Sequence, residues 1–179
     1  MNDTTTVVRA QTIAVPRVWA RDGVFIGLSI AHAVALVVVP SIPLIAALLW
    51  WNANTIAHNF IHRPFFRSRA ANGAYSAFLS LVLGVPQRLW RARHLAHHAE
   101  LAAGAHGSAA ATVHVRVRWT SAMVVEAGLV VAVWATAFAF VLRFFLTVYL
   151  PGWAIGLGLC FLQGYFEHAR GTTSHYGRL

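Results

Sequence analysis

Residues 121–166, SAMVVEAGLVVAVWATAFAFVLRFFLTVYLPGWAIGLGLCFLQGYF, decide the fold class of this chain. Arg143 divides them into two runs, 121–142 and 144–166, that are nearly free of charge. A membrane-spanning helix needs roughly 20 apolar residues, or about 17 at the short end, and both runs meet that requirement. Two earlier runs, 24–39 and 44–57, are marginal by the same measure. Over the whole chain 58% of residues are hydrophobic and 11% are charged, against about 25% charged in a soluble domain. The expected fold is an all-α integral membrane bundle of about four transmembrane helices in two hairpins.

Prolines and arginines set the expected topology. Pro40-Ser41-Ile42-Pro43 cannot continue a regular helix, because each proline removes a backbone donor and clashes with the preceding turn. It reads as a hairpin turn between the first two spans. The second hairpin turns at Arg143 or at Pro151-Gly152, and the Pro-Gly pair is the stronger turn signal. The formal charge of +9 comes from arginines, with no lysine in the chain. So basic a chain raises nucleic-acid binding, but the apolar load excludes it and the positive-inside tendency explains the arginines better. Two hairpins place Arg9, Arg17 and Arg21, the arginines from Arg63 to Arg118, and Arg170 and Arg178 on one side, with Arg143 alone at the far interface. That side is read as the cytoplasm, and the location as a bacterial inner membrane. Residues 1–20 form a cytoplasmic tail without the apolar core of a signal peptide. Residues 71–85 are too short to span and should lie in the interface or pack on the bundle, and 99–111 read as a connection. The single Cys160 excludes an internal disulfide and a multi-thiolate zinc site.

The ten histidines are not scattered. His58 and His62 are spaced i, i+4 at the end of the second span, so they share one helical face. His94, His97 and His98, at i, i+3 and i+4, converge in the same way. His168 and His175 follow the last span, with Glu167 beside the first. The expected topology brings all seven to one cytoplasmic surface. Imidazole suits iron, zinc and copper, and seven ligands exceed the four that one zinc takes. Two metal ions are implied. A zinc protease is disfavoured because neither cluster carries the Glu of His-Glu-x-x-His, and haem because these histidines sit at helix ends. His106 and His114 have no partner at ligand spacing and read as interfacial anchors. His32, in mid-span, is expected to hydrogen-bond to a neighbouring helix.

His58-Asn59-Phe60-Ile61-His62 and His94-Leu95-Ala96-His97-His98 resemble the first two histidine boxes of the membrane fatty acid desaturase superfamily, which includes lipid, carotenoid and alkane hydroxylases. The interval between the boxes, the two spans after the second, and the segment Tyr165-Phe166-Glu167-His168 are also similar. The resemblance covers about residues 24–179. The chain departs from the pattern in one place: the third box, His-x-x-His-His, is missing before Leu179, so the domain over 21–179 reads as C-terminally incomplete.

That resemblance implies two non-haem irons, held by His58, His62, His94, His97, His98, His168 and His175, with O₂ as co-substrate. The implied activity is desaturation of a lipid acyl chain. A related lipid, carotenoid or alkane hydroxylase, or a non-catalytic membrane remnant, is the alternative. Trp51, Trp90, Phe161 and Tyr165 are candidate walls for the lipid tail, or else interfacial anchors. Asn59 and Glu167 are candidates to orient ligands. The sequence holds neither a cysteine cluster nor a dinucleotide-binding glycine loop, so the partners implied are a membrane lipid and an external electron donor of ferredoxin or cytochrome type.

Overall fold

The computed structural model describes residues 20–102 and 117–169, with side chains over 22–96 and 117–166. Among these residues all regular structure is helical. Helix α1 (Ala20–Val38) is followed by α2 (Ile42–Asn52), a π-helical segment π1 (Ala53–Ala57) and α3 (His58–His62). Pro43 sits in the first turn of α2, where a missing N–H costs nothing and the fixed φ suits a helix. The expected hairpin forms there. Asp22 meets Arg63, Phe25 meets Phe65, and His32 meets Asn52, so α1 runs antiparallel to the continuous α2–π1–α3 run. That run carries the first histidine cluster on its final turn, at the end of the helix as expected.

Helices α4 (Arg69–Leu83) and α5 (Gln87–Ala102) form a second, tighter hairpin. The 71–85 segment therefore packs on the bundle, as one of its two expected placements had it, burying Tyr75, Ser76, Leu79, Ser80, Val82 and Leu83. Gly84 ends α4 at φ 64°, and Val85 N–H returns to the Ser80 carbonyl at 3.2 Å. A left-handed glycine closing this six-to-one bond is the ordinary helix stop. Here glycine is required twice over, since a Cβ would fall 2.7 Å from Trp153 Nε1.

Helix α6 (Ser121–Phe140) and the Leu142–Phe166 helix are each long and apolar enough to cross a membrane. The second comprises α7 (Leu142–Phe144), the π segment π2 (Phe145–Tyr149) and α8 (Leu150–Ala169). Asp22–Val38 is a shorter apolar helix. Val37, Phe140 and Phe161 are 81%, 83% and 70% exposed on the outer faces, and apolar faces of this extent call for apolar surroundings.

The break between α6 and α7 falls at Val141, φ −136° and ψ 43°, next to Arg143. The stronger turn signal, Pro151-Gly152, is not a turn: both residues lie inside α8. The π turn immediately before Pro151, where Leu150 N–H bonds to Phe145 O, explains how a proline without a donor is accommodated. Gly152 serves close packing instead. A Cβ there would fall 2.8 Å from Ile45 Cβ, and one on Gly156 would fall 3.0 Å from the Ala46 carbonyl. These glycines, four apart, let α8 lie directly on α2, a common device where lipid removes the hydrophobic drive between helices. The two helices run parallel, with Ile45 beside Gly152, Leu49 beside Gly156, and Trp50 Nε1 donating to Gln163 Oε1 at 2.8 Å.

Trp153 continues the junction, donating to the Leu83 carbonyl at 3.0 Å and meeting Trp134 edge-on at 4.8 Å. The bundle interior beside it is the cluster of Leu49, Ile56, Phe60, Phe65, Tyr75 and Leu79.

Overpacking a tight contact costs about 1–3 kcal/mol. Gly156→Val should therefore lower the thermal unfolding midpoint of the detergent-solubilised protein, followed by circular dichroism. Gly158→Ala, with open space around its Cβ position, should leave it unchanged.

Candidate metal site

The first histidine pair sits on a helix whose register has been shifted just before it. In π1 the wider turn sends the His58 N–H to the Ala53 carbonyl. A π turn rotates everything after it relative to a regular helix, and such turns concentrate at functional sites. Two asparagines steady the shifted stretch. Asn54 Nδ2 donates to the Trp50 carbonyl at 2.8 Å, and Asn59 Nδ2 to the Thr55 carbonyl at 2.6 Å. Asn59, a candidate to orient a ligand, is bonded through its amide nitrogen to its own helix under the first cluster.

The second cluster reaches the first because α5 returns from the Gly84 turn alongside α3. Arg91 Nε donates to the Ile61 carbonyl at 3.1 Å, satisfying an acceptor that the end of α3 leaves open. Arg63, directly after His62, holds both carboxylate oxygens of buried Asp22 at 2.7 and 2.9 Å. The turn bearing His62 is therefore clamped by α5 on one side and by α1 on the other.

Three imidazoles converge between these clamps. His62 Nε2 and His94 Nε2 are 3.0 Å apart. The His58 ring centroid lies 4.8 Å from that of His62 and 4.7 Å from that of His94. One ring nitrogen from each of the three can be chosen so that all lie within 4.8 Å of one another. Two nitrogens bound to one ion at about 2.0–2.1 Å would stand about 3 Å apart on adjacent positions, which is the spacing of His62 and His94. The donor set fits a first-row transition metal. Desolvation by burial, and after it the charge of Arg91, lower the pKa of His62 from its ordinary 6.5. A lowered pKa favours the neutral ring at pH 7, and a neutral imidazole is the form that binds metal.

The remaining expected ligands stand differently. His97 and His98 follow His94 on α5, and His168 lies near the end of α8, but their side chains lie outside the described residues, as does that of Glu167. His175, His106 and His114 lie outside them entirely. His32 is where a span histidine was expected to find a partner: its Nδ1 is 3.0 Å from Asn52 Nδ2, and both residues are buried.

A narrow apolar cavity of about 40 Å³ lies beside the cluster, lined among others by Leu49, Ala53, Ala57, Leu83, Trp90 and Leu157. Ala57 adjoins His58, and Trp90 is one turn before His94. Of the four aromatic wall candidates, Trp90 lines this space. Trp51 packs against the core, whereas Phe161 and Tyr165 point outward, 70% and 61% exposed.

Sequence reading passed over two residues that hold the site. Arg91 was counted only toward topology. Glu126, buried at 2% exposure with Arg88 Nε 3.1 Å from its carboxylate, was absorbed into an apolar run. A lone acid within such a run is itself a signal, because burying it without partners is costly.

No curated protein and no solved structure matches this chain. Residues 33–113 match the family model for fatty acid desaturase, a stretch that contains both histidine clusters and the contact of Arg91 with Ile61. This match supports membership of the membrane fatty acid desaturase superfamily.

Proposed function

We propose that this protein is a membrane non-haem iron oxidoreductase that acts on lipid acyl chains, with O₂-dependent desaturation as its reaction. The observation that carries this reading is the convergence of His58, His62 and His94 from two separate elements onto one point. His97, His98, His168 and His175 are the other proposed iron ligands. Bound iron would supply the oxidising chemistry, activating O₂ to remove hydrogen from an unactivated C–H bond.

The chain's own part is position and exclusion of water. His58 and His62 present nitrogen donors along one face, and α5 brings His94 against them. The narrow apolar cavity lined by Ala57, Leu83 and Trp90 marks a dry side of the cluster from which an apolar tail would approach. Removing two hydrogens while reducing O₂ to two waters consumes two further electrons, which an external donor of ferredoxin or cytochrome type would deliver. Exposed arginines near the histidines, Arg67, Arg91 and Arg93, suit an acidic donor by charge.

The same reading takes the chain as an integral membrane domain over 21–179, preceded by a cytoplasmic tail over 1–20. Four crossings in two hairpins place the histidines at the cytoplasmic face of a bacterial inner membrane. The parallel course of α2 and α8 supports this, since two helices that run the same way deliver both His62 and His168 to one end.

Reporter fusions after Met1, Ala103 and Leu179 test the topology. All three should report cytoplasm, and a periplasmic signal at Ala103 would separate the first hairpin from the proposed face.

Protein purified with iron should lose metal when His58, His62 or His94 is replaced by alanine, because each removes a ligand and the remaining donors share a weaker site. His106→Ala and His114→Ala should keep the wild-type iron content. Equal iron content across both sets, by elemental analysis, would refute the assignment. Where iron is retained, lipid profiling of cells supplying an electron donor should show new double bonds that the His→Ala variants fail to make.

A further inference from the structure

Helix α5 carries the second histidine cluster, yet it starts without a cap of its own. Its first residue is Gln87, and the carbonyl of the preceding Pro86 accepts the Trp90 N–H at 3.0 Å. A residue at that position ordinarily turns a side-chain oxygen onto one of the first N–H groups of the helix. A proline ring has none to offer. Two other helices supply the acceptors instead. Gln87 N–H donates to Ser80 Oγ of α4 at 2.9 Å, and Arg88 N–H donates to Glu126 Oε2 of α6 at 2.8 Å.

Glu126 is tied in further. Ser80 Oγ lies 3.1 Å from its Oε2, and Arg88 Nε donates to Oε1 at 3.1 Å. The carboxylate is 2% exposed, and its charge faces the positive end of α5, where an anion is favoured. His94 lies two turns further along that helix. Sliding α5 by one residue would turn His94 about 100° around the axis and take its ring away from His62, whose Nε2 now stands 3.0 Å off.

We propose that Glu126 is the positioning residue of the histidine cluster: by capping α5 from α6, it sets the rotation and depth at which His94 meets His58 and His62. The inference rests on the metal-site reading above. Arg91 secures α5 to α3 laterally, whereas Glu126 fixes it along its axis, so the two contacts are not interchangeable.

The test uses the full-length chain in detergent with cobalt(II) as the probe, because its visible absorption reports the ligand arrangement. Glu126→Ala should weaken cobalt affinity about 10- to 100-fold, the usual cost of losing a group that orients ligands from outside, and should change the absorption band. Glu126→Gln, which keeps an oxygen for the Arg88 N–H, should restore most of the affinity and the wild-type band. A Glu126→Ala protein that is folded by circular dichroism and binds cobalt with wild-type affinity and spectrum would overturn the proposal. Should that variant fail to fold, Glu126→Asp decides, since the shorter side chain cannot hold both Arg88 and Ser80. Wild-type binding by Glu126→Asp would equally overturn it.

A wild-type protein that binds no cobalt would refute the metal reading instead, and positioning is then read without metal. Spin labels on cysteines replacing His62 and His94, in a Cys160→Ser background, should show dipolar broadening that Glu126→Ala abolishes. Broadening that persists unchanged would overturn the proposal.

Discussion

The close approach of α8 to α2 at Gly152 and Gly156 is the contact on which the positions of the other elements depend. With no side chain on either glycine, Ile45 and Leu49 and the backbone of α2 come directly against α8, and the α2–π1–α3 run acquires a rigid backing. From that backing the histidines of α3 project at a defined height. The aromatic set of Trp134, Phe145, Tyr149 and Trp153 then locks α6 to the start of α8. Through its bond to the Leu83 carbonyl, Trp153 extends the same framework to the end of α4, and so to the turn from which α5 departs.

Within an apolar bundle, polar side chains carry the specificity that packing alone would leave loose. Lipid-like surroundings reward no particular helix rotation, but an unpaired polar group there is costly. Four polar pairings, each with at least one buried member, join elements remote in sequence: Asp22 with Arg63, Ser29 with Tyr75, His32 with Asn52, and Glu126 with Arg88. The first joins α1 to the end of α3, the second joins α1 to α4, the third fixes the register of the first hairpin, and the fourth fixes α5 against α6. Each pairing forms at one rotation of its two helices. Together they leave the histidine cluster little freedom to spread, which is the preorganisation a metal site requires.

Much of this was legible in the chain. The apolar runs, the Pro40–Pro43 turn and the i, i+4 spacing of His58 and His62 are local properties, and the structure follows them. Pro151-Gly152 was misread for a physical reason. Proline and glycine are strong turn formers by local propensity, but π2 relieves the proline and the contact with α2 uses the glycine. Both causes are invisible until the neighbouring turn and the partner helix are known.

By itself, the sequence determined that the chain is helical and rich in spanning-length apolar segments, and that two histidine clusters each occupy one helical face. Those outcomes rest on composition and on a period of 3.6 residues, which are properties of single segments. Only the tertiary structure decided that His94 meets His62 at 3.0 Å, that Arg91 and Glu126 hold the helix between them, and that α8 lies parallel on α2. Such facts belong to pairs of elements. They depend on which rotation of each helix lets its buried polar groups find partners while its glycines admit a neighbour, a condition set jointly by residues as far apart as Ser80 and Glu126.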